Sequence, residues 1–516
     1  MTMCNLTGEQ PIRENQQTTA NILDPEVILH WANDLYHGKT PETPKTENFQ
    51  LMMPSDLSAE SPEKAQALSS DAASARLISD PNPDYYFLPK PPKEENGKPS
   101  PASSASSNES TGIQALRQDF PILNQKVNGK PLIWFDNAAT TQKPQAVIDS
   151  LSQFYAGYNS NVHRATHTLA KQATSAYENV REKVQRHLGA SSPEEIIFLR
   201  GTTEAINLVA QAWGRMNIHP GDEILISQME HHSNIVPWQI LRQEKKAVIK
   251  VIPINDRGEI LLNEYQRLFS LRTRMVAITH VSNVLGTINP LAEMIQTAHA
   301  NRALVLVDGA QGVPHLPVNV KSLDADFYVF SGHKIYGPTG IGALYGKKAL
   351  LESMPPWQGG GSMIKNVTFN HTLYNNIPYK FEAGTGNIAD TIGLGTAIDY
   401  LQKVGFHQIE EHERKLTGYA MESLLKIPGL CIIGTPQNKI SVLSFIMRNF
   451  TPDEVAHHLE GEGIAVRTGH HCAQPTLERY GLTESVRVSL GLYNTKEEVD
   501  TLSQVLKKLA KQTRTF

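Results

Sequence analysis

Six short apolar runs recur between residues 194 and 334, with amphipathic stretches between them. They are EEIIFLR (194–200), DEILIS (222–227), AVIKVIPI (247–254), RMVAITHVSN (274–283), RALVLVDGA (302–310) and DFYVFSGHK (326–334). Runs rich in Val and Ile with little polar alternation suit strands covered on both faces, and the intervening helical patterns supply the cover. The spacing therefore predicts an α/β fold built from βα units around a mostly parallel sheet. Beyond about residue 400 the order changes. Helical patterns (AIDYLQKVG, HQIEEHERKLTGYAMESLLKI) precede strand patterns (ISVLSFIM, GIAVRTG, RVSLGLY), and the helical stretch TKEEVDTLSQVLKKLAKQ follows. This predicts a large domain over 136–399 and a smaller α+β domain from 113–135 plus 400–516.

The first 112 residues are a different kind of chain. They carry 8 Lys and Arg against 16 Asp and Glu, and 13 of the 31 prolines but only 4 of the 35 glycines. With no sustained apolar period, burial cannot offset the ordering entropy, and a disordered acidic tail is expected. Two islands interrupt it. DPEVILHWANDLYHG (24–38) has Asp24 to cap, Pro25 in the first turn and Val27, Trp31 and Leu35 on one helical face. DPNPDYYFLPKPP (80–92) sets an aromatic cluster between prolines and reads as an extended peptide. Both are expected to be docking motifs on a flexible tether.

The acidic tail argues against a nucleic-acid surface there, which would need a basic stripe. No apolar run approaches the roughly 20 residues of a membrane span. The start, MTMCNLTGEQPIRENQQ, has neither the basic opening nor the apolar stretch of a secretory signal, so a cytoplasmic protein is expected. Cys4, Cys431 and Cys472 are too few for a disulfide framework or a four-thiolate zinc site, which leaves a nucleophile as the open role for a single cysteine. His231-His232 and His470-His471, taken as strand neighbours, would face opposite sides, and no carboxylate spacing completes a site, so no metal is expected. Ser331-Gly-His-Lys334 matches S-x-x-K, but no S-D-N or K-T-G accompanies it, and GPTGIG (337–342) does not fit G-x-G-x-x-G.

A different set of residues converges on pyridoxal phosphate, whose enzymes need a lysine, a carboxylate for the ring nitrogen, an imidazole or aromatic lid and a phosphate cradle. Lys334 follows DFYVFSGH at a strand end, where open parallel sheets place their ligands. Asp308 ends the strand before it. Gly201-Thr202-Thr203-Glu204 lies between the strand IIFLR and the helix EAINLVAQAW, where backbone N–H groups are free for a phosphate. One strand-end Asp or Lys is ordinarily structural; three strand ends in chain order are far more specific.

Ten ordered motifs then carry a resemblance: FDNAATTQKP (135–144), NVHRATHTLA (161–170), GTTEAINLVA (201–210), MEHHSNIVPWQ (229–239), SNVLGT (282–287), VDGAQ (307–311), SGHKIYGPTGIGALYG (331–346), FEAGTGN (381–387), RTGHHCAQP (467–475) and RVSLGLYNT (487–495). From about residue 115 onward the chain resembles the class V, fold-type I pyridoxal-phosphate enzymes, specifically the Suf-type (group II) cysteine desulfurases. The resemblance implies Lys334 as the Schiff-base lysine, Asp308 on the pyridine nitrogen, His231 stacked on the ring and Gln311 at its phenolic oxygen. It implies that Thr202, Thr203, Ser331 and His333 hold the phosphate, with Thr385 reaching it from the second subunit of a homodimer. Arg487 and Asn283 would bind the carboxylate of L-cysteine, His163 and Arg467 would be further polar groups there, and Cys472 would accept the sulfur. His470, His471 and Arg467 would raise its thiolate fraction.

Three departures stand out. Ala165 replaces a glycine, Ser233 an alanine and Gly386 a proline of the family pattern. The short cysteine loop implies a dedicated sulfur-acceptor protein. The added front segment resembles that of cysteine desulfurases carried as cargo in encapsulin nanocompartments. The alternatives at this level are a selenocysteine lyase, a class V aminotransferase, which would need no thiol, or a scaffold acting through its tail.

Overall fold

In a computed structural model of the chain, the described residues are 115–163 and 165–512. The two islands and Cys4 lie outside them. The six apolar runs become β1 (Ile196–Leu199), β2 (Glu223–Ser227), β3 (Val248–Ile252), β4 (Thr273–Thr279), β5 (Leu304–Asp308) and β6 (Phe327–Ser331), joined by β7 (Gly342–Gly346). The sheet order is β1-β7-β6-β5-β4-β2-β3. Strands β3, β2, β4, β5 and β6 pair parallel, as expected. Strand β7, which the periodicity did not single out, runs antiparallel to both β6 and β1. Only residues 332–341 separate it from β6, too little chain for the crossover that a parallel return needs.

Successive side chains of these strands serve two apolar layers. Ile196 and Phe198 belong to one buried cluster, while Ile197 and Leu199 belong to the other; Val305 and Val307 are divided from Leu306 in the same way. Helix α1 (Thr168–Leu188) packs Ala173, Tyr177, Val180, Val184 and Leu188 into the first layer at helical spacing. Helix α2 (Thr202–Val209) packs Ala205, Ile206 and Val209 into the second. Among the described residues no helix is long and apolar enough to cross a membrane.

A second sheet follows, with β8 (Leu430–Ile433), β9 (Val442–Met447), β10 (Arg467–Gly469) and β11 (Ser485–Ser489) in the order β8-β9-β11-β10, all antiparallel. The expected single strand GIAVRTG is instead two pieces. Ile464–Ala465 pairs parallel with Ile133–Trp134, and only Arg467–Gly469 joins β11. The early chain supplies a partner that local sequence cannot reveal, and the strand bends to serve both neighbours. The long helical stretch before this sheet divides at Gly405 (φ +90°) into Ile388–Val404 and Phe406–Leu425.

Two buried polar groups hold the segments that border the site. Arg181 on α1 is 2% exposed and grips Glu382 through its two terminal guanidinium nitrogens at 2.7 and 3.0 Å. It also donates to the Ile196 carbonyl (2.8 Å) and lies 4.6 Å from the Phe198 ring centre. Glu230 is fully buried just after β2. It accepts from Ser227 Oγ at 2.5 Å, Asn234 Nδ2 at 2.7 Å and the Thr279 N–H at 3.0 Å. These bonds secure both flanks of the turn holding His231.

Each group makes a measurable prediction. Glu382→Ala leaves Arg181 buried without its main counter-ion and costs about 3–5 kcal/mol, read as a lower denaturant midpoint at constant slope. Burial pushes the Glu230 carboxyl up from 4.5 to about 7, against the pull of its three donors. The folded value exceeds the unfolded one, so its stabilising contribution is complete below pH 4.5 and lost as pH rises through about 7. Relative to Glu230→Gln, the unsubstituted protein loses roughly 3 kcal/mol across that window, measured by unfolding at several pH values.

Candidate active site

The carboxyl ends of β1, β2, β4, β5 and β6 open on one rim of the main sheet, and a cavity of about 180 Å³ lies there. Among its lining residues are Thr202, Thr203, His231, Asn283, Asp308, Gln311, Ser331, His333, Lys334, Arg467, Cys472 and Arg487. These are the residues singled out by sequence, apart from His163 and Thr385. His163 pairs instead with Glu178 at 3.1 Å, and Thr385 lies exposed outside the cavity.

Each strand end contributes a different chemistry. Asp308, 3% exposed, accepts the Ala310 N–H at 2.9 Å. Burial raises its carboxyl above the ordinary range, opposed by that hydrogen bond and by the Lys334 charge. Lys334 sits in the single turn after β6 (Gly332–Lys334). Burial lowers its amine to about 8, although Asp308 pulls the other way. His231 begins the turn His232–Asn234 and accepts the Ser233 N–H on Nδ1 at 3.0 Å. Burial, with Lys334 adding repulsion, lowers it to about 3, so its ring is neutral. Burial likewise lowers His333 to about 4. Gln311 is occupied by the Ala138 carbonyl, to which its amide donates at 2.6 Å.

The cradle at the β1 end depends on glycine. Gly201 has φ +151°, and a Cβ there would lie 3.0 Å from Ser331 Oγ. Ser331 Oγ accepts the Thr202 N–H at 2.9 Å and lies 2.9 Å from Thr202 Oγ1. Thr203 Oγ1 and Ser233 Oγ are 2.6 Å apart. Opposite them, Arg487 on β11 is 2% exposed. It donates to Asp136 Oδ1 at 2.9 Å and to the Asn283 carbonyl at 3.1 Å, while its buried Nε has no partner. Arg467 stands 3.7 Å from the other oxygen of Asp136.

The cysteine loop joins this site from the second sheet. Cys472 is a half-buried free thiol. Both it and His471 adopt left-handed backbone, at φ 56° and 51°. Asn283 Nδ2 donates to the His471 carbonyl at 2.8 Å, so its amide nitrogen holds the loop in this arrangement. His471 is buried beside Ser485 Oγ (2.8 Å), and burial together with Arg487 and Arg467 lowers it to about 3. It is therefore a neutral ring at pH 7 and not the cation expected beside the thiol. The double histidines also lie in turns, not strands, which changes the geometry assumed for them. Ala165, standing for a family glycine, has φ 34°, a conformation that favours glycine. Asp136, Glu230 and Lys143 escaped the sequence reading. Lys143 Nζ donates to the His333 carbonyl at 3.0 Å. Asp136 alone had a usable signal, as the acid of FDNAATT.

These residues fit pyridoxal phosphate. The glycine turn leaves space that a Cβ would invade, the acid and amine share one buried cavity, and Arg487 keeps an unsatisfied donor for an anion. The family model "Aminotransferase class-V" matches residues 133–502, and pyridoxal phosphate is the cofactor of cysteine desulfurases in this class. A protein of Mycobacterium leprae named probable cysteine desulfurase 1 is 57% identical over 398 residues, covering 77% of this chain and 65% of its own. A probable cysteine desulfurase of Mycolicibacterium paratuberculosis is 51% identical over 486 residues, covering 94% and 70%. The chain thus spans about two thirds of the length of these relatives. The crystal structure of the Escherichia coli cysteine desulfurase CsdA, in its S-sulfonic acid form, superposes with a TM-score of 0.72 at 40% identity, covering 78% of this chain and 98% of that one. With its sheet, its cavity and these likenesses in accord, the chain belongs to the class-V aminotransferase family, among homologues named cysteine desulfurases.

Proposed function

We propose that the protein is a pyridoxal-phosphate-dependent cysteine desulfurase that converts L-cysteine to L-alanine and leaves the sulfur as a persulfide on Cys472. The observation that carries this reading is the presence of Lys334, Asp308, His231 and Cys472 around one cavity. The cofactor, when bound, supplies an electron sink for the substrate's α-carbon. Asp308 would hold its ring nitrogen, and the neutral His231 would lie against its ring. Gln311, whose amide nitrogen has a second N–H beside the one given to Ala138, would meet its phenolic oxygen, and the cradle of Thr202, Thr203, Ser331 and His333 would take its phosphate. Lys334, with its amine near 8, takes the α-proton and returns it. Arg487 offers its free Nε to the substrate carboxylate, with Asn283 and Arg467 as further polar groups, while His163, paired with Glu178 and absent from the cavity wall, takes no part in this subunit's carboxylate site. The Cys472 thiolate attacks the substrate sulfur: an S–S bond forms, the Cβ–S bond breaks, and its electron pair stays on carbon, which is protonated to the methyl of alanine.

The finer assignment is to the Suf-type, group II enzymes, supported by the short RTGHHCAQP loop held by Asn283. Such a tether calls for a dedicated sulfur-acceptor protein. We read the molecule as a cytoplasmic homodimer in which Thr385, exposed and outside its own cavity, completes the partner's phosphate site. Residues 136–399 form the cofactor domain, and 113–135 with 400–516 the domain bearing the cysteine. The acidic, proline-rich residues 1–112, with motifs at 24–38 and 80–92, direct the enzyme into an encapsulin shell.

Two measurements test this. Cys472→Ala retains the cofactor absorbance but loses alanine formation by about a hundredfold or more; full activity in that variant overturns the assignment. Removing residues 1–112 leaves cysteine turnover intact and abolishes loading when co-expressed with a shell protein; undiminished loading sinks the cargo role.

A further inference from the structure

His232, His470 and Cys472 place one ligand atom each within 4.8 Å of the others. They come from two loops that are laced together. The His232 N–H donates to the Cys472 carbonyl at 2.7 Å. The Gln474 N–H donates to His232 Nε2 at 3.2 Å, and the Cys472 N–H to His470 Nδ1 at 3.1 Å. Each imidazole therefore keeps one unprotonated nitrogen, the state that metal ligation requires. The rings are 5.4 Å apart and tilted by 36°.

We infer that these three side chains form a Zn²⁺ site. Two neutral imidazoles and a thiolate are a nitrogen–sulfur donor set that favours zinc over magnesium or calcium. Bond lengths of about 2.0–2.3 Å in a tetrahedron bring ligand atoms to roughly 3.5 Å, so the three atoms close by about 1 Å on binding. The amide contacts on both rings are solvent-exposed, so water can take over any N–H group that the metal displaces. On binding, the Cys472 S–H proton leaves to solvent, the S–Zn bond forms, and the fourth position stays open to water. Resting on the reading of Cys472 as nucleophile, an occupied site stops turnover reversibly, because the sulfur lone pair is committed to the metal.

Zinc titrated into the holoenzyme against a chromophoric chelator, without cysteine, tests the site directly. One ion per chain is expected, with His232→Ala and His470→Ala each weakening binding by about tenfold or more. Cobalt in place of zinc should show a tetrahedral thiolate-bound spectrum that Cys472→Ser removes. His470 is exposed, so its substitution spares the packing. Absence of stoichiometric binding, or binding unchanged in both histidine variants with the cofactor spectrum intact, overturns the site. Chelator-reversible inhibition of alanine formation is the expected consequence. Stoichiometric, histidine-dependent binding without inhibition upholds the site and counts instead against the role of Cys472.

Discussion

A parallel sheet releases its strands at a single rim, and the chemistry of this protein depends on that constraint. Strands β2, β4, β5 and β6 end together, and β1 ends beside them because β7 runs antiparallel to both β1 and β6. Turns starting at residues 200, 228, 280, 309 and 332 therefore point their side chains at a common volume. Both sheet faces are sealed by apolar layers, so charges at the rim are poorly hydrated. Lys334 is lowered and Asp308 raised for the same reason, burial, and each partly offsets the other's shift.

The second sheet is tied to that rim through polar contacts. Arg487 reaches from β11 to Asp136 and to the Asn283 carbonyl, and Asn283 returns a hydrogen bond to the loop beside Cys472. Three chain segments far apart in sequence thus fix one another. The cost is two consecutive residues in left-handed backbone, His471 and Cys472, without glycine to ease it.

What was legible in the sequence follows from how local each signal is. The six apolar runs are continuous and local, and all six are strands. The residues that line the cavity were legible because each belongs to a contiguous motif, most of them at a strand end, with Arg487 within β11 and Cys472 in a loop. Strand β7 was missed because GALYG is short and begins at a glycine, Gly342, needed where a Cβ would approach Gly201 Cα to 2.7 Å. The split of GIAVRTG depends on Ile133–Trp134, some 330 residues earlier, which no window can contain. His471 looked like a cation beside the thiol, yet whether an imidazole is charged is set by three-dimensional burial. The approach of His232 to His470 is likewise a fact about two loops and is written in neither.

The pairing of Ile133–Trp134 with Ile464–Ala465, and the bridge from Asp136 to Ser489, have a consequence for synthesis. Residues 133–136 wait for segments made roughly 330–350 residues later before their strand pairings are complete. During translation the main sheet can assemble from its own local βα units, while the strand pairings of residues 133–136 stay incomplete until β11 has left the ribosome. Closing so long a loop is slow, and the catalytic cavity comes into being only at that last step. A chain that ends before β11 lacks the part of the cavity wall that Arg487 supplies, so the site is complete only when the fold is closed.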